Sequence, residues 1–308
     1  MEQSSSCGRQ ARAAVILAGG EGTRLRSLTR RIMGCDVPKQ FCPLLGKDTL
    51  LEQTLRRVSL SVGAPLTSVV VTRSHERFYA SLTRDIAASN LVAQPQNRGT
   101  APAILYSLLR LAEQAPQARV AIFPSDHFVG DDRAFMRHVD IAFAAVESRP
   151  ELTVLLGIQP GWPETGYGWI EPALAVRETP AFMVRRFWEK PQPEVANELL
   201  GRGCLWNSFV MVGQLSVLLG LFMIALPSLY VSFKKIQPIF GTVFEAETVE
   251  RLYRGLRSAS FPDEVLARHP VNLAVLPVQG VEWSDLGEPR RVMEVCARLG
   301  ARPRWAAA

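Results

Sequence analysis

The feature that most constrains the fold is a short apolar run, AAVILA at 13–18, closed by Gly19-Gly20. A run of this length, with no polar alternation and a glycine stop, predicts a strand buried on both faces of a parallel sheet. Parallel neighbours need crossover connections, and the following segments supply them. Helical spacing over 50–58 leads to a strand at 68–72, a helix over 74–88 and a short strand at 91–93. Then come a helix over 101–115, a strand at 119–123, a helix over 131–147 and a strand at 152–158. This order predicts right-handed βαβ units, hence an α/β fold with a mostly parallel, Rossmann-like sheet flanked by helices. Open sheets of this kind bind ligands beyond the carboxyl ends of their strands. Two polar clusters fall at that edge: the glycine loop after the first strand, and Asp126 after the strand at 119–123.

The second half changes character. Strands are expected at 167–171, 183–189 and 205–212 with irregular connections, then helices at 243–256 and 288–299 with a strand at 271–277 between them. We therefore expect a disordered polar tail at 1–12, one domain over 13–300 that divides into a first half (13–150) and a smaller, mixed second half (151–300), and a loose tail at 301–308. Between Arg202 and Lys234 no charge occurs, but Asn207, Ser208, Gln214 and Ser216 interrupt the run and Pro227 ends it. A membrane span needs about 20 apolar residues in succession, so a buried strand followed by a buried helix is expected instead.

Composition excludes several classes. With 21% charged and 47% hydrophobic residues the chain is globular, and its net charge of +6 is not gathered into a nucleic-acid patch. The five cysteines are scattered, with no C-x-x-C pair and no histidine at ligand spacing, which predicts free thiols rather than a zinc site. No apolar signal region precedes the first strand, and a cytoplasmic location is expected.

The strongest local signal is Leu17-Ala18-Gly19-Gly20-Glu21-Gly22-Thr23-Arg24-Leu25, with Pro38-Lys39-Gln40-Phe41 beyond it. Glycines after a strand let backbone N–H groups approach a phosphate closely. Arg24 adds a planar fork of donors, and Lys39 a second cation from a turn set by Pro38. The spacing is neither that of a P-loop nor that of a dinucleotide fingerprint. His127 is expected to be structural.

These residues resemble the signature of sugar-1-phosphate nucleotidyltransferases, and the PKQF form is similar to that of the mannose-1-phosphate guanylyltransferases (GDP-mannose pyrophosphorylases). The resemblance continues in order along the chain. Asn97-Arg98-Gly99-Thr100-Ala101-Pro102-Ala103 resembles the segment that lies against the base, and Pro124-Ser125-Asp126-His127 the metal-binding segment. Glu164-Thr165-Gly166-Tyr167-Gly168 and Phe187-Trp188-Glu189-Lys190-Pro191 resemble the sugar-binding motifs. Trp206-Asn207-Ser208 and Trp283-Ser284-Asp285-Leu286-Gly287 complete the series.

The resemblance implies an enzyme that converts GTP and mannose-1-phosphate to GDP-mannose and pyrophosphate. It implies Mg²⁺ held by Asp126 and Asp285, with Arg24, Lys39 and Asp126 catalytic. Leu17, Gly19, Gly20, Gly22, Thr23, Thr100 and Ala101 would meet the nucleotide, and Gly168, Glu189, Lys190 and Asn207 the sugar phosphate. Without metal the two aspartates are expected to repel each other, so that losing one carboxylate costs little stability. Partners are expected to be these substrates, with no nucleic acid and with homo-oligomerisation left open. Two alternatives remain: another hexose-1-phosphate or nucleoside triphosphate, and a catalytically weak regulatory relative that binds a sugar nucleotide.

Three departures bear on these expectations. An insert at Gly34-Cys35-Asp36 precedes Lys39 and bears on where that side chain stands. Phe209 occupies the place of a glycine in W-N-S-G, and Phe209 is expected to line or support the sugar pocket. Gly287-Glu288-Pro289 replaces G-S/T-W.

Overall fold

The computed structural model describes residues 11–270, 272–300 and Trp305. Most of the two expected terminal tails lies outside the described residues. Within them, Arg12 already belongs to the first strand and pairs with Asp140, and Trp305 packs against the core, so neither is part of a loose tail.

The first half runs β1 (Arg12–Leu17), α1 (Arg26–Met33), α2 (Leu50–Val58), β2 (Thr67–Thr72), α3 (Glu76–Tyr79), β3 (Leu91–Gln94), α4 (Thr100–Gln114), β4 (Arg119–Pro124), β5 (Phe128–Val129), α5 (Asp132–Ser148) and β6 (Thr153–Ile158). The second half runs β7 (Gly168–Ala175), β8 (Phe182–Glu189), α6 (Pro193–Gly201), β9 (Leu205–Gln214), α7 (Leu215–Ala225), α8 (Pro227–Ile236), α9 (Glu245–Gly255), β10 (Leu273–Val278), β11 (Trp283–Ser284) and α10 (Pro289–Arg298).

One large sheet takes strands from both halves in the order β3-β2-β1-β4-β9-β6-β10-β8-β7. The expected α/β fold is present. Its parallel part is β3-β2-β1-β4 and the β6–β10 pair, while β9 enters antiparallel between β4 and β6, and β8 and β7 close the far edge antiparallel. In β1, Ala13 and Val15 face one core, and Ala14 and Ile16 the other. Both faces are therefore covered, as the uninterrupted apolar run requires. Residues of α4, α7, α8 and α9 build one core, and residues of α2, α5, α6 and α10 the other.

Several elements differ from the sequence reading. The helix expected over 74–88 shrinks to one turn, α3, followed by irregular turns in which Thr83 N and the Thr83 hydroxyl both donate to Tyr79 O. The insert before Lys39 is the end of an unexpected helix, α1. Gly34 stops it at φ 73° with its N–H on Arg30 O, and Arg30 grips Asp36 through two hydrogen bonds. Pro227 ends α7 as expected but also starts a second helix, α8. Among the described residues no helix is long and apolar enough to cross a membrane. The described cysteines, Cys35, Cys42, Cys204 and Cys296, are free.

Candidate active site

The glycine loop leaves β1 and is pinned by its carbonyls. Gln40 Nε2 donates to Ala18 O and Gly20 O, at 2.9 and 2.8 Å, and Thr72 Oγ1 donates to Gly19 O at 2.9 Å. A Cβ at Gly19 would stand 2.4 Å from Gln94 Nε2, so this loop is held against β2 and β3. Gly22 adopts φ 59° and turns the chain into a short helical turn, Thr23–Leu25, that carries Arg24. A Cβ at Gly22 would meet Lys39 N at 2.9 Å, so glycine here is needed for both backbone angle and close packing.

Lys39 is the central cation. Only 8% of the residue is exposed. Its Nζ stands 3.3 Å from Asp126 Oδ2 and donates to Asp285 O at 2.6 Å and Leu286 O at 3.4 Å. Asp126 follows β4 at the carboxyl edge of the sheet, as expected. Asp285 reaches the same edge through an antiparallel ribbon in which Ser284 pairs with Phe128 and Trp283 with Val129. Continuing that register sets Asp285 opposite His127, one residue from Asp126.

The two aspartates have different surroundings. Asp285 Oδ1 accepts from Gly287 N at 2.8 Å and from Arg291 Nη1 at 2.7 Å, while Arg24 stands 3.9 Å from its Oδ2. Burial pushes this carboxyl up, but Lys39, His127 and Arg291 together outweigh burial and hold it below the usual carboxylate range. At neutral pH the cations that favour its charged form are Lys39 and Arg291. His127 Nε2 stands 3.6 Å from Asp126 Oδ1, its ring edge-on to Trp283. Burial lowers its pKa to about 4, so it is uncharged at neutral pH.

A cavity of roughly 280 Å³ opens beside this cluster. Leu17, Gly19, Gly20, Thr100 and Asp126 line it, together with Gln40, Val70, Gln94, Asn97, Gly99, Ala103, His127 and Phe209. Gly22, Thr23, Arg24 and Lys39 stand outside that lining, as does Ala101, which is fully buried. Ala101 N donates to Ala259 O, Ala259 N to Arg98 O, and Phe261 N to Thr100 Oγ1, so residues 98–101 are zipped to residues 259–261. Gly99, at φ 85°, fits only because it has no Cβ; one would stand 2.3 Å from Ala259 O.

The sugar-side residues form a second group. Gly168 pairs with Glu189 across β7 and β8, and a Cβ on Gly168 would meet Glu189 Oε2 at 2.9 Å and Asn207 Cβ at 3.3 Å. Lys190 N donates to Tyr167 O, and Lys190 Nζ stands 3.2 Å from Glu189 Oε1 with its side chain 60% exposed. Burial raises the Glu189 pKa against the pull of Lys190. Tyr167 joins the groups, with ring centroids 5.0 Å from Trp206 and 5.2 Å from Trp283.

Phe209 is tied to the sugar-side group through its N–H, which donates to Asn207 Oδ1. It lines the cavity with the glycine loop and Thr100 rather than with Glu189 and Lys190. Its φ is 64°, in the left-handed region, where a glycine would sit without strain. The Asn207 and Ser208 side chains hold the bend by accepting from Phe209 N and Val210 N. Sequence reasoning also missed Arg291, Gln40 and Gln94. The first had a visible signal: Pro289-Arg290-Arg291 puts two cations in the first turn of a helix, against the helix dipole.

A family profile described as nucleotidyl transferase matches residues 13–301. The xanthan biosynthesis protein XanB of Xanthomonas campestris pv. campestris is 30% identical over 307 residues, which cover 93% of this chain and 60% of that protein. A mannose-1-phosphate guanylyltransferase of Escherichia coli is 31% identical over 304 residues, with the same coverage of 93% and 60%. The chain thus spans about 60% of the length of these curated relatives. A solved structure described as a mannose-1-phosphate geranyltransferase from Thermus thermophilus superposes with a TM-score of 0.79 at 30% identity, covering 92% of this chain and 79% of that one.

Proposed function

Because this chain belongs to the nucleotidyl transferase family, we propose that it transfers a nucleotidyl group from a nucleoside triphosphate to a sugar-1-phosphate, with GTP and mannose-1-phosphate as the pair. The observation that carries this reading is the position of Lys39 Nζ, between Asp126 Oδ2 and the carbonyls of Asp285 and Leu286. One buried cation thus joins the phosphate-side loop to the turn that follows β11. The named activity of the Escherichia coli relative supports the choice of substrates.

In the proposed reaction an oxygen of the sugar phosphate attacks the α-phosphorus of the triphosphate. The new P–O bond forms as the bond to the β-phosphate bridging oxygen breaks, and pyrophosphate leaves with that electron pair. The attacking phosphate is already ionised, so no general base is required, and a neutral His127 fits a structural role. Catalysis then rests on positioning and charge stabilisation. Occupied loop carbonyls leave the N–H groups of Gly19–Gly22 for phosphate oxygens. Arg24 and Lys39 offset charge at the transferring phosphorus, and Thr100 and Leu17 line the nucleotide side. Gly168, Glu189 and Asn207 would meet sugar hydroxyls, and the exposed Lys190 ammonium would meet the sugar phosphate.

Asp126 and Asp285 fit a Mg²⁺ ion. Each has one oxygen whose nitrogen partner stands beyond hydrogen-bond distance: the neutral His127 at 3.6 Å from Asp126 Oδ1, and Arg24 at 3.9 Å from Asp285 Oδ2. Among the described residues no group of three or more His, Cys, Asp or Glu side chains could hold a metal. Mg²⁺ takes one or two carboxylates and completes its shell with water and phosphate oxygens. When bound there, the ion would supply positive charge to offset that on the leaving pyrophosphate.

A pyrophosphate-release assay over a panel of nucleoside triphosphates and sugar-1-phosphates tests the reading. The GTP and mannose-1-phosphate pair should give the highest kcat/KM. A higher value for another pair would keep the reaction and change the substrates. Release with no pair would support the inert-relative reading.

A further inference from the structure

We infer that Arg291 is a positioning residue that locks the Asp285 turn to the sugar-side loop, so that the two substrate sites close on each other in one fixed geometry. The inference rests on the reaction proposed above and adds a residue that its motifs do not contain.

Arg291 lies in the first turn of α10 and is 6% exposed. Its Nη1 bonds Asp285 Oδ1 at 2.7 Å and its Nη2 pairs with Glu164 Oε2 at 2.8 Å. The guanidinium carbon stands 4.4 Å from the centroid of the Tyr167 ring. One planar group therefore engages two carboxylates from distant segments and the aromatic residue between them. Only arginine offers donors in two fixed directions and a flat cationic face together; lysine is a point charge.

The surroundings are shaped for this group. A Cβ at Gly166 would stand 2.9 Å from Arg291 Nη2, so glycine leaves the guanidinium its space. Glu164 spends its other oxygen on Gly166 N at 2.7 Å, and its carbonyl accepts from Trp169 Nε1 at 2.7 Å. The loop before β7 is thus wound around the residue that Arg291 holds. On the other side, Asp285 Oδ1 is shared between Arg291 and Gly287 N, which turns Oδ2 toward Arg24.

The location also argues for a specific task. A cation in the first turn opposes the partial positive charge of a helix N-terminus, and the acidic N-cap of α10, Glu288, makes no side-chain cap bond there. The guanidinium is moreover removed from water, which is tolerated only because both carboxylates face it. Its two anchors are the motif residue before Tyr167 and the aspartate beside Lys39. A shift of either would misplace sugar phosphate relative to α-phosphorus, and small misplacements cost large factors in rate.

The test compares the full chain with its Arg291→Lys, Arg291→Met and Glu164→Gln variants. Steady-state constants are measured for mannose-1-phosphate and GTP, and amide hydrogen exchange is measured without substrates. Arg291→Lys should lower kcat about tenfold or more and raise the sugar-phosphate KM several-fold, with the GTP KM within about twofold. Glu164→Gln, which is close to isosteric, should raise the sugar-phosphate KM and leave kcat nearer the wild type. Exchange in Arg291→Lys should rise together in the peptides containing 164–168 and 285–287. Equal changes in both KM values, unchanged constants in Arg291→Lys, or exchange rising in only one of the two peptides would overturn the inference. If Arg291→Met fails to fold, Arg291→Lys and Glu164→Gln decide the matter. Absence of turnover in the wild type with every substrate pair would instead defeat the proposed reaction, and the exchange result would still judge the clamp.

Discussion

Replacing Lys39 by methionine removes the cation on which the site converges while keeping most of its volume. At an effective dielectric of about 20, a unit charge at the observed 3.3 Å from Asp126 interacts with it by ~5 kcal/mol before desolvation is subtracted. Desolvation of a largely buried ammonium cancels much of this in the resting protein. The charge is worth more when negative charge develops on the phosphates, because the site is already organised around it. Loss of one such preorganised donor costs roughly 10²–10³ in turnover, about 2.7–4 kcal/mol. Arg24, with its side chain 56% exposed, is too well solvated to substitute fully. Stability should change less, by about 1–2 kcal/mol, since Asp126 can recover water. The assay is kcat from pyrophosphate release, with calorimetry on the same samples. Turnover within threefold of wild type, in a protein that melts normally, would refute the argument that Lys39 stabilises the transition state.

Asp126→Asn and Asp285→Asn should both abolish most turnover but separate in stability. The first should lose about 3 kcal/mol, because the buried Lys39 loses its paired carboxylate, whereas the second should lose less, about 1–2 kcal/mol, because Arg291 keeps Glu164; equal melting temperatures would contradict this. Phe209→Gly should relieve a strained backbone worth about 1–3 kcal/mol but lose the packing of the ring, leaving the melting temperature within a few degrees. It should also shift the nucleotide KM at least as much as the sugar-phosphate KM, and unchanged constants for both would remove Phe209 from the site. Gly99→Ala should destabilise by about 2–4 kcal/mol, because its new Cβ would overlap Ala259 O; a normal melting curve would show that the contact between 98–101 and 259–261 is not essential.

The elements whose burial repeats along one face were legible in the sequence. Helix α2 is where its spacing put it, and β1, β2 and β4 lie within a residue or two of expectation, because their apolar runs fill both faces of the sheet. The glycine loop and Asp126 were legible for the same reason, as polar residues immediately after such strands. What escaped depended on long-range pairing or on exposed surface. Helix α1 is largely exposed and rich in arginine, so nothing in its pattern marked it apart from Gly34. The antiparallel entry of β9 follows from its pairing with β4 and β6, which its own residues do not encode locally. Arg291 is separated from Glu164 by more than a hundred residues, and only the fold makes them neighbours. The left-handed backbone at Phe209 was hidden because a phenylalanine gives no hint of positive φ.

The most direct test of the central claim is phosphorus NMR of the purified chain with GTP, mannose-1-phosphate and Mg²⁺. The α- and β-phosphate signals of a sugar-linked nucleoside diphosphate should grow in equal proportion to pyrophosphate, at the expense of both substrates, and Lys39→Met should slow both signals together. Consumption of GTP without the sugar-linked diphosphate, or no change in any signal while other substrate pairs are also inert, would contradict it.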